Sequence, residues 1–207
     1  MCSSDLSCYM QSFNEFIGFA EAGAAPDFRY LFTFQGNLTS KTRGQLFAAN
    51  YGRDDVLIER TQPFWTDTGG HRAFKQQYAL KILQSRYVLC PRGIGTSTFR
   101  LFETMQSGRV PVILSDAWVP PAGIDWNAFS LRVPERDIGR LPEICHEALP
   151  RWDGMAAEAR RVWQEWFSPA GMGKLVRSSV EDIRRSEEHT SELQSHLNLV
   201  CRLLLEK

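Results

Sequence analysis

Strand-length apolar runs alternate along this chain with segments long enough for one helix, and that alternation limits the folds open to it more than any other feature. Tyr30 to Gln35, Asp55 to Arg60, Tyr87 to Cys90 and the runs opening at Val110 and Phe129 read as strands. Thr42 to Tyr51, His71 to Gln84, a segment from Ser97, Asp137 to Leu149 and Ala156 to Phe167 read as helices. Repeated strand-helix-strand units predict an α/β fold, a Rossmann-like parallel sheet with helices on both faces. Pro120-Pro121-Ala122-Gly123 and Ser168-Pro169-Ala170-Gly171 mark breaks. In an open parallel sheet, ligands sit beyond the carboxyl ends of the strands. The loops from Gly36 to Thr42, Arg60 to Gly70 and Pro91 to Thr96 are therefore expected to face one crevice.

The third strand-to-helix passage carries the most chemistry. Tyr87 to Cys90 suits a strand covered on both faces, and Pro91, Gly93 and Gly95 stop it. Thr96, Ser97 and Thr98 can cap a following helix whose free N–H groups attract an anion. On that helix Phe99, Leu101, Phe102 and Met105 fall on one side, with Arg100, Glu103 and Ser107 on the other. Positions 100 and 103 lie roughly 60 degrees apart around the axis. An arginine there can fork two phosphate oxygens, and a carboxylate one turn on can accept both hydroxyls of a ribose. The plainer alternative is a surface pair worth about 0.2–0.5 kcal/mol with no role in binding.

Four sequence words extend the pattern: Ser85-Arg86-Tyr87-Val88-Leu89-Cys90-Pro91-Arg92-Gly93, Phe99-Arg100-Leu101-Phe102-Glu103, Gly108-Arg109-Val110-Pro111-Val112-Ile113-Leu114-Ser115-Asp116, and Ile124-Asp125-Trp126 with Phe129-Ser130 and Val133-Pro134-Glu135-Arg136-Asp137-Ile138. In these words, and in their order, the chain resembles the exostosin family, glycosyltransferase family 47. One departure is visible: that family usually has cysteine where Arg109 stands, which bears on local packing more than on activity. The resemblance implies the C-terminal, nucleotide-sugar-binding half of an inverting two-domain (GT-B) glycosyltransferase. It implies a uridine diphosphate sugar as donor, a glycan as acceptor, and a basic residue beside the donor diphosphate at Arg43, with Lys41 a weaker contact. The donor-binding set is then Lys41, Arg43, Arg92, Gly93, Gly95, Thr96, Ser97, Arg100 and Glu103. The sequence calls for no metal and no cofactor beyond the donor. The catalytic base is expected from a preceding acceptor domain and is assigned to no residue here.

Both ends carry a different signature. Cys2-Ser3-Ser4-Asp5-Leu6 and Arg185-Ser186-Glu187-Glu188-His189-Thr190-Ser191-Glu192-Leu193-Gln194-Ser195 look like in-frame translations of the two strands of one sequencing-adapter oligonucleotide. Residues 1–6 and 185–207 are accordingly set aside as artefact, leaving 7–184 as the domain. The chain carries 24 basic and 24 acidic residues, which leaves no electrostatic footprint for nucleic acid or an anionic membrane. Cys8, Cys90 and Cys145 have no paired spacing, which points to a reducing compartment and to neither a zinc site nor a disulfide frame. No apolar stretch approaches the ~20 residues of a membrane span. The expectation is a cytoplasmic bacterial protein, with a Golgi location the alternative for a eukaryotic one.

Lesser candidates each have a plain structural role as the alternative. Trp65 can stack a base or belong to the core, and His71 has nothing in the sequence to orient it as a base. Asp116 can touch a sugar hydroxyl or close a turn, Glu135 and Asp137 bracket another turn, and Asp125 with Trp126 fixes a loop. The Asn37-Leu38-Thr39 sequon falls in a loop where a glycan would block the crevice. Two other functions stay open: a non-catalytic sugar-nucleotide-binding module, and a different nucleotide-binding Rossmann protein such as a dehydrogenase. The latter would place several glycines after the first strand, where Gly36 stands alone.

Overall fold

The computed structural model describes residues 14–18, 27–61 and 71–171, and scattered positions from 173 to 185. Strands β1 (Tyr30–Gly36), β2 (Val56–Arg60), β3 (Ser85–Pro91), β4 (Val110–Leu114) and β5 (Leu131–Arg132) form one sheet in the order β2-β1-β3-β4-β5. Every pairing is parallel. Helices α1 (Lys41–Ala48), α2 (His71–Leu83), α3 (Phe99–Gln106), α4 (Leu141–Ala148) and α5 (Trp152–Val162) complete the α/β architecture.

Alternation along the inner strands sorts side chains to two cores, because successive residues of a strand point to opposite faces. Phe32, Phe34, Tyr87, Leu89, Val112 and Leu114 face one side with Leu46 of α1 and Leu141 of α4. Cys90 and Ile113 face the other with Leu101 and Met105 of α3 and Ala159 and Val162 of α5. Val88 packs there against Ala79 and Ile82 of α2. Burial of each large apolar side chain is worth about 1.5–3 kcal/mol. With both faces covered, β1 and β4 are buried along their whole length, whereas β2 at the edge is only half-buried.

Two local devices set the passage from α3 to β4. Gly108, at φ 63°, takes the left-handed conformation that stops the helix, and the N–H groups of Gly108 and Arg109 return to the carbonyls of Met105 and Thr104 at 3.0 Å each. Arg109 then turns inward. Its Nε and Nη2 donate to the Leu83 carbonyl at 3.1 and 2.8 Å, closing the end of α2, and the guanidinium lies over the Phe28 ring. The departure noted at this position thus has a packing role, as a cationic plug on a helix terminus.

Several boundaries differ from the sequence-based expectation. The first helix ends at Ala48 and the fifth begins at Trp152. The run at Phe129 yields only a two-residue strand, since Asp125 caps a 3-10 turn over Trp126–Ala128 and the Phe129 ring is buried beyond it. The segment from Asp137 begins as a 3-10 turn, Glu135–Arg140, before α4. Among the described residues no helix is long and apolar enough to cross a membrane. Residues 1–13, 62–70 and 186–207 lie outside the described residues, and with them Cys8, Trp65, nearly all of the adapter-like ends and the expected loop from Arg60 to Gly70 beyond Thr61.

Candidate functional site

The strand order reverses direction between β1 and β3: the chain runs outward from β1 to β2, then returns to β3 and on to β5. Such a switch point opens a crevice at the carboxyl edge, because the two adjacent loops leave toward opposite faces of the sheet. Here those loops are residues 37–40 and 92–98. Ser40 ties them together: its hydroxyl caps α1 by accepting the Arg43 N–H at 3.3 Å and donates to the Arg92 carbonyl at 2.9 Å.

Two arginines stand at this switch point, one in the first turn of α1 and one in the first turn of α3. Arg43, 9% exposed, donates from Nε to the Arg92 carbonyl and from Nη1 to the Asn37 carbonyl, each at 3.1 Å. Arg100, 8% exposed, donates from Nη2 to the Gln35 carbonyl, while its Nε and Nη1 have no hydrogen-bond partner among the described residues. Both guanidinium carbons lie over the Phe34 ring, at 5.6 Å for Arg43 and 4.6 Å for Arg100. Burial, and secondarily the charge of Arg100, lowers the Arg43 pKa to about 10. A Cβ at Gly36 would lie 3.1 Å from Arg100 Nη2 and 2.9 Å from the Phe34 ring, so the missing side chain lets the guanidinium reach the strand end. Gly93 likewise leaves room for Arg43, whose Nη2 would stand 3.3 Å from such a Cβ.

Glu103 is buried and its Oε2 accepts a hydrogen bond from the Tyr78 hydroxyl at 2.7 Å. Arg100 and Glu103 do not form a solvated surface pair. Residues Arg100 through Met105 are all buried, because the polar side of α3 faces α2 and the end of β1. Lys41 is exposed at the start of α1. Arg92 is half-buried and contributes its carbonyl to Ser40 and Arg43. Gly95, Thr96 and Ser97 lie half-buried in the loop. The helix itself starts later, with Thr98 at the N-cap and no side-chain bond from it to the helix.

Tyr78, Gln35 and Thr42 escaped the sequence reading. Gln35 stands in a mostly apolar strand and its amide reaches the Tyr78 carbonyl at 3.4 Å, so a long polar side chain at a buried strand end was the available signal. Thr42 donates to Glu135 Oε2 at 2.5 Å, and Glu135 exchanges hydrogen bonds with Asp116 at 3.2 and 3.1 Å. Asp116 and Glu135 therefore close turns and brace the start of α1. Cys90 and Cys145 are free and buried, and burial pushes the Cys90 thiol up to about 12. Among the described residues no three of His, Cys, Asp and Glu gather as a metal site would require.

The sequence profile of the Exostosin GT47 domain matches residues 9–148, from before β1 to the end of α4. This chain belongs to the exostosin family of glycosyltransferases. It is 41% identical to the Exostosin-1 homolog of Caenorhabditis elegans over 156 residues, covering 67% of this chain and 41% of the worm protein. Exostosin-1 of Drosophila melanogaster is 30% identical over 174 residues, 75% of this chain and 22% of the fly protein. Exostosin-1b of Danio rerio is 25% identical over 185 residues, 81% of this chain and 25% of the fish protein. The chain thus spans less than half the length of these curated relatives. Arg43, Arg100, Glu103 and Tyr78 all fall within the exostosin match, whereas α5 follows it and seals the second core.

Proposed function

We propose that this exostosin-family chain is the donor-binding half of an inverting GT-B glycosyltransferase that moves a sugar from a uridine diphosphate sugar to a glycan. What supports this reading is the convergence of two buried guanidinium groups at the switch point. A buried donor without an acceptor costs about 1–3 kcal/mol, and among the described residues Arg100 carries two of them. A diphosphate in the crevice would accept from Arg100 and Arg43 together and offset both their repulsion and their desolvation.

Cleavage of a sugar–phosphate bond builds negative charge on the departing diphosphate. Cations already fixed in place stabilise that charge without reorganising at the moment of reaction. Arg43 and Arg100 take this role, the backbone from Gly93 to Ser97 lines the phosphate path, and Lys41 and Arg92 add positive potential at the rim. Glu103 accepts the ribose hydroxyls. No cofactor besides the sugar nucleotide enters the scheme. The acceptor and the base that takes its proton belong to a second domain of the parent protein. A bacterial version would work in the cytoplasm and a eukaryotic one in the Golgi lumen; the animal relatives favour the second.

Titration of the full chain with UDP and with NAD tests the donor class. Binding of UDP alone is expected, and a preference for NAD would sink the reading. Turnover of labelled UDP-sugars by the longer gene product with glycan acceptors separates an enzyme from a binding module.

A further inference from the structure

We infer that Tyr78 is a positioning residue for donor recognition, holding the Glu103 carboxylate in the orientation that accepts the ribose hydroxyls. The inference rests on the sugar-nucleotide reading and adds to it a residue from a different helix, α2. Tyr78 contacts both halves of the expected Arg/Glu couple. Its hydroxyl donates to Glu103 Oε2 at 2.7 Å, and its ring centroid lies 5.9 Å from the Arg100 guanidinium carbon. Its own carbonyl accepts from Gln35 Nε2 at 3.4 Å, and the Gln35 carbonyl in turn accepts from Arg100 Nη2. Strand β1 and helices α2 and α3 are thereby linked through side chains whose distance in sequence hides the connection.

The chemistry of the contact supports positioning over mere packing. A distance of 2.7 Å is a full-strength length for a hydroxyl donor and lies within the range of a bond to a carboxylate. Burial raises the Tyr78 pKa well above its usual value, so the phenol keeps its proton and remains a donor. A glutamate in solution samples many rotamers, and fixing one of them beforehand removes an ordering cost from ligand binding. A phenylalanine would fill the same volume without that constraint.

The experiment compares UDP with 2′,3′-dideoxy-UDP by calorimetric titration of the full 207-residue chain. The wild type is expected to prefer UDP by about tenfold or more, the effect of losing hydrogen bonds to a charged group. Tyr78→Phe should shrink that preference to about threefold or less and leave the dideoxy affinity within about twofold. A preserved preference in folded Tyr78→Phe overturns the inference while the donor reading stands. A wild type that binds UDP without preferring it to the dideoxy form overturns the ribose role of Glu103 and the inference with it. Because Tyr78→Phe takes one hydrogen bond from a buried carboxylate, a second pair guards against misfolding: Glu103→Leu against Tyr78→Phe/Glu103→Leu, in which both polar groups of this bond are gone. Equal UDP affinities support action through Glu103, and a further drop in the double variant overturns it.

Discussion

Replacing Arg100 by methionine should cost little stability and much ligand affinity, a combination that a purely structural arginine would not give. In the unliganded protein the substitution removes one hydrogen bond to the Gln35 carbonyl and the stacking over Phe34. It also removes two buried nitrogens that lack partners among the described residues. Charged hydrogen bonds are worth about 1.5–3 kcal/mol and unmet buried donors cost about 1–3 kcal/mol each. These opposing effects are similar in size, so unfolding free energy is expected to move by less than about 2 kcal/mol. The ligand sees only the loss. Removing one charged contact to the diphosphate should weaken UDP binding by about 1.5–3 kcal/mol, roughly 10- to 150-fold. Thermal unfolding with and without UDP reads both effects. At a UDP concentration of about 100 times the wild-type Kd, linkage stabilises the wild type by about 2.7 kcal/mol and the variant by only about 0.3–1.4 kcal/mol. For a domain of this size that is about 5–11 °C against about 1–6 °C in Tm. An undiminished UDP-induced shift in the variant, or a collapse of its unliganded stability, would refute the anion-site argument.

Arg109→Cys, which restores the residue usual in the family at that position, should lose about 1–3 kcal/mol through the uncapped Leu83 carbonyl and leave UDP affinity unchanged. Urea unfolding measures the first and calorimetry the second; a stabilised variant would show that desolvation of this guanidinium outweighs its hydrogen bonds. The buried thiols predict a fall in stability on the alkaline side. Cys90 is raised from 9.0 to about 12 and Cys145 is raised as well, both by burial, so above pH 9 the unfolded chain releases protons that the folded chain retains. The folded state binds more protons there, and stability drops as pH rises, by about 1 kcal/mol per thiol between pH 9 and 10. Denaturant curves at pH 8, 9 and 10 check this against the Cys90→Ala/Cys145→Ala chain, and identical slopes in the two proteins would contradict it.

The parallel sheet was legible from the amino-acid order because its inner strands are apolar on both sides, as Tyr87 to Cys90 and Val110 to Leu114 illustrate, and because turn residues such as Gly36 and Gly108 punctuate them. The strand-turn-helix passage that carries Arg100 was legible too, since a glycine-bearing turn between a buried strand and a helix is a local pattern. Its surroundings were not. Helical periodicity put Arg100 and Glu103 on a polar face, and a polar face ordinarily meets water. Here it meets Tyr78 from α2 and the Gln35 carbonyl from β1, elements that approach only when the crossover brings them beside α3. The same holds for Arg43, whose partner loop lies about fifty positions away, and for the Thr42–Glu135–Asp116 bracket. Local pattern is a property of neighbours in the chain and selects the elements; the charge environment of a site depends on neighbours in space, which arise only once the sheet has closed and its two loops have parted at the switch point.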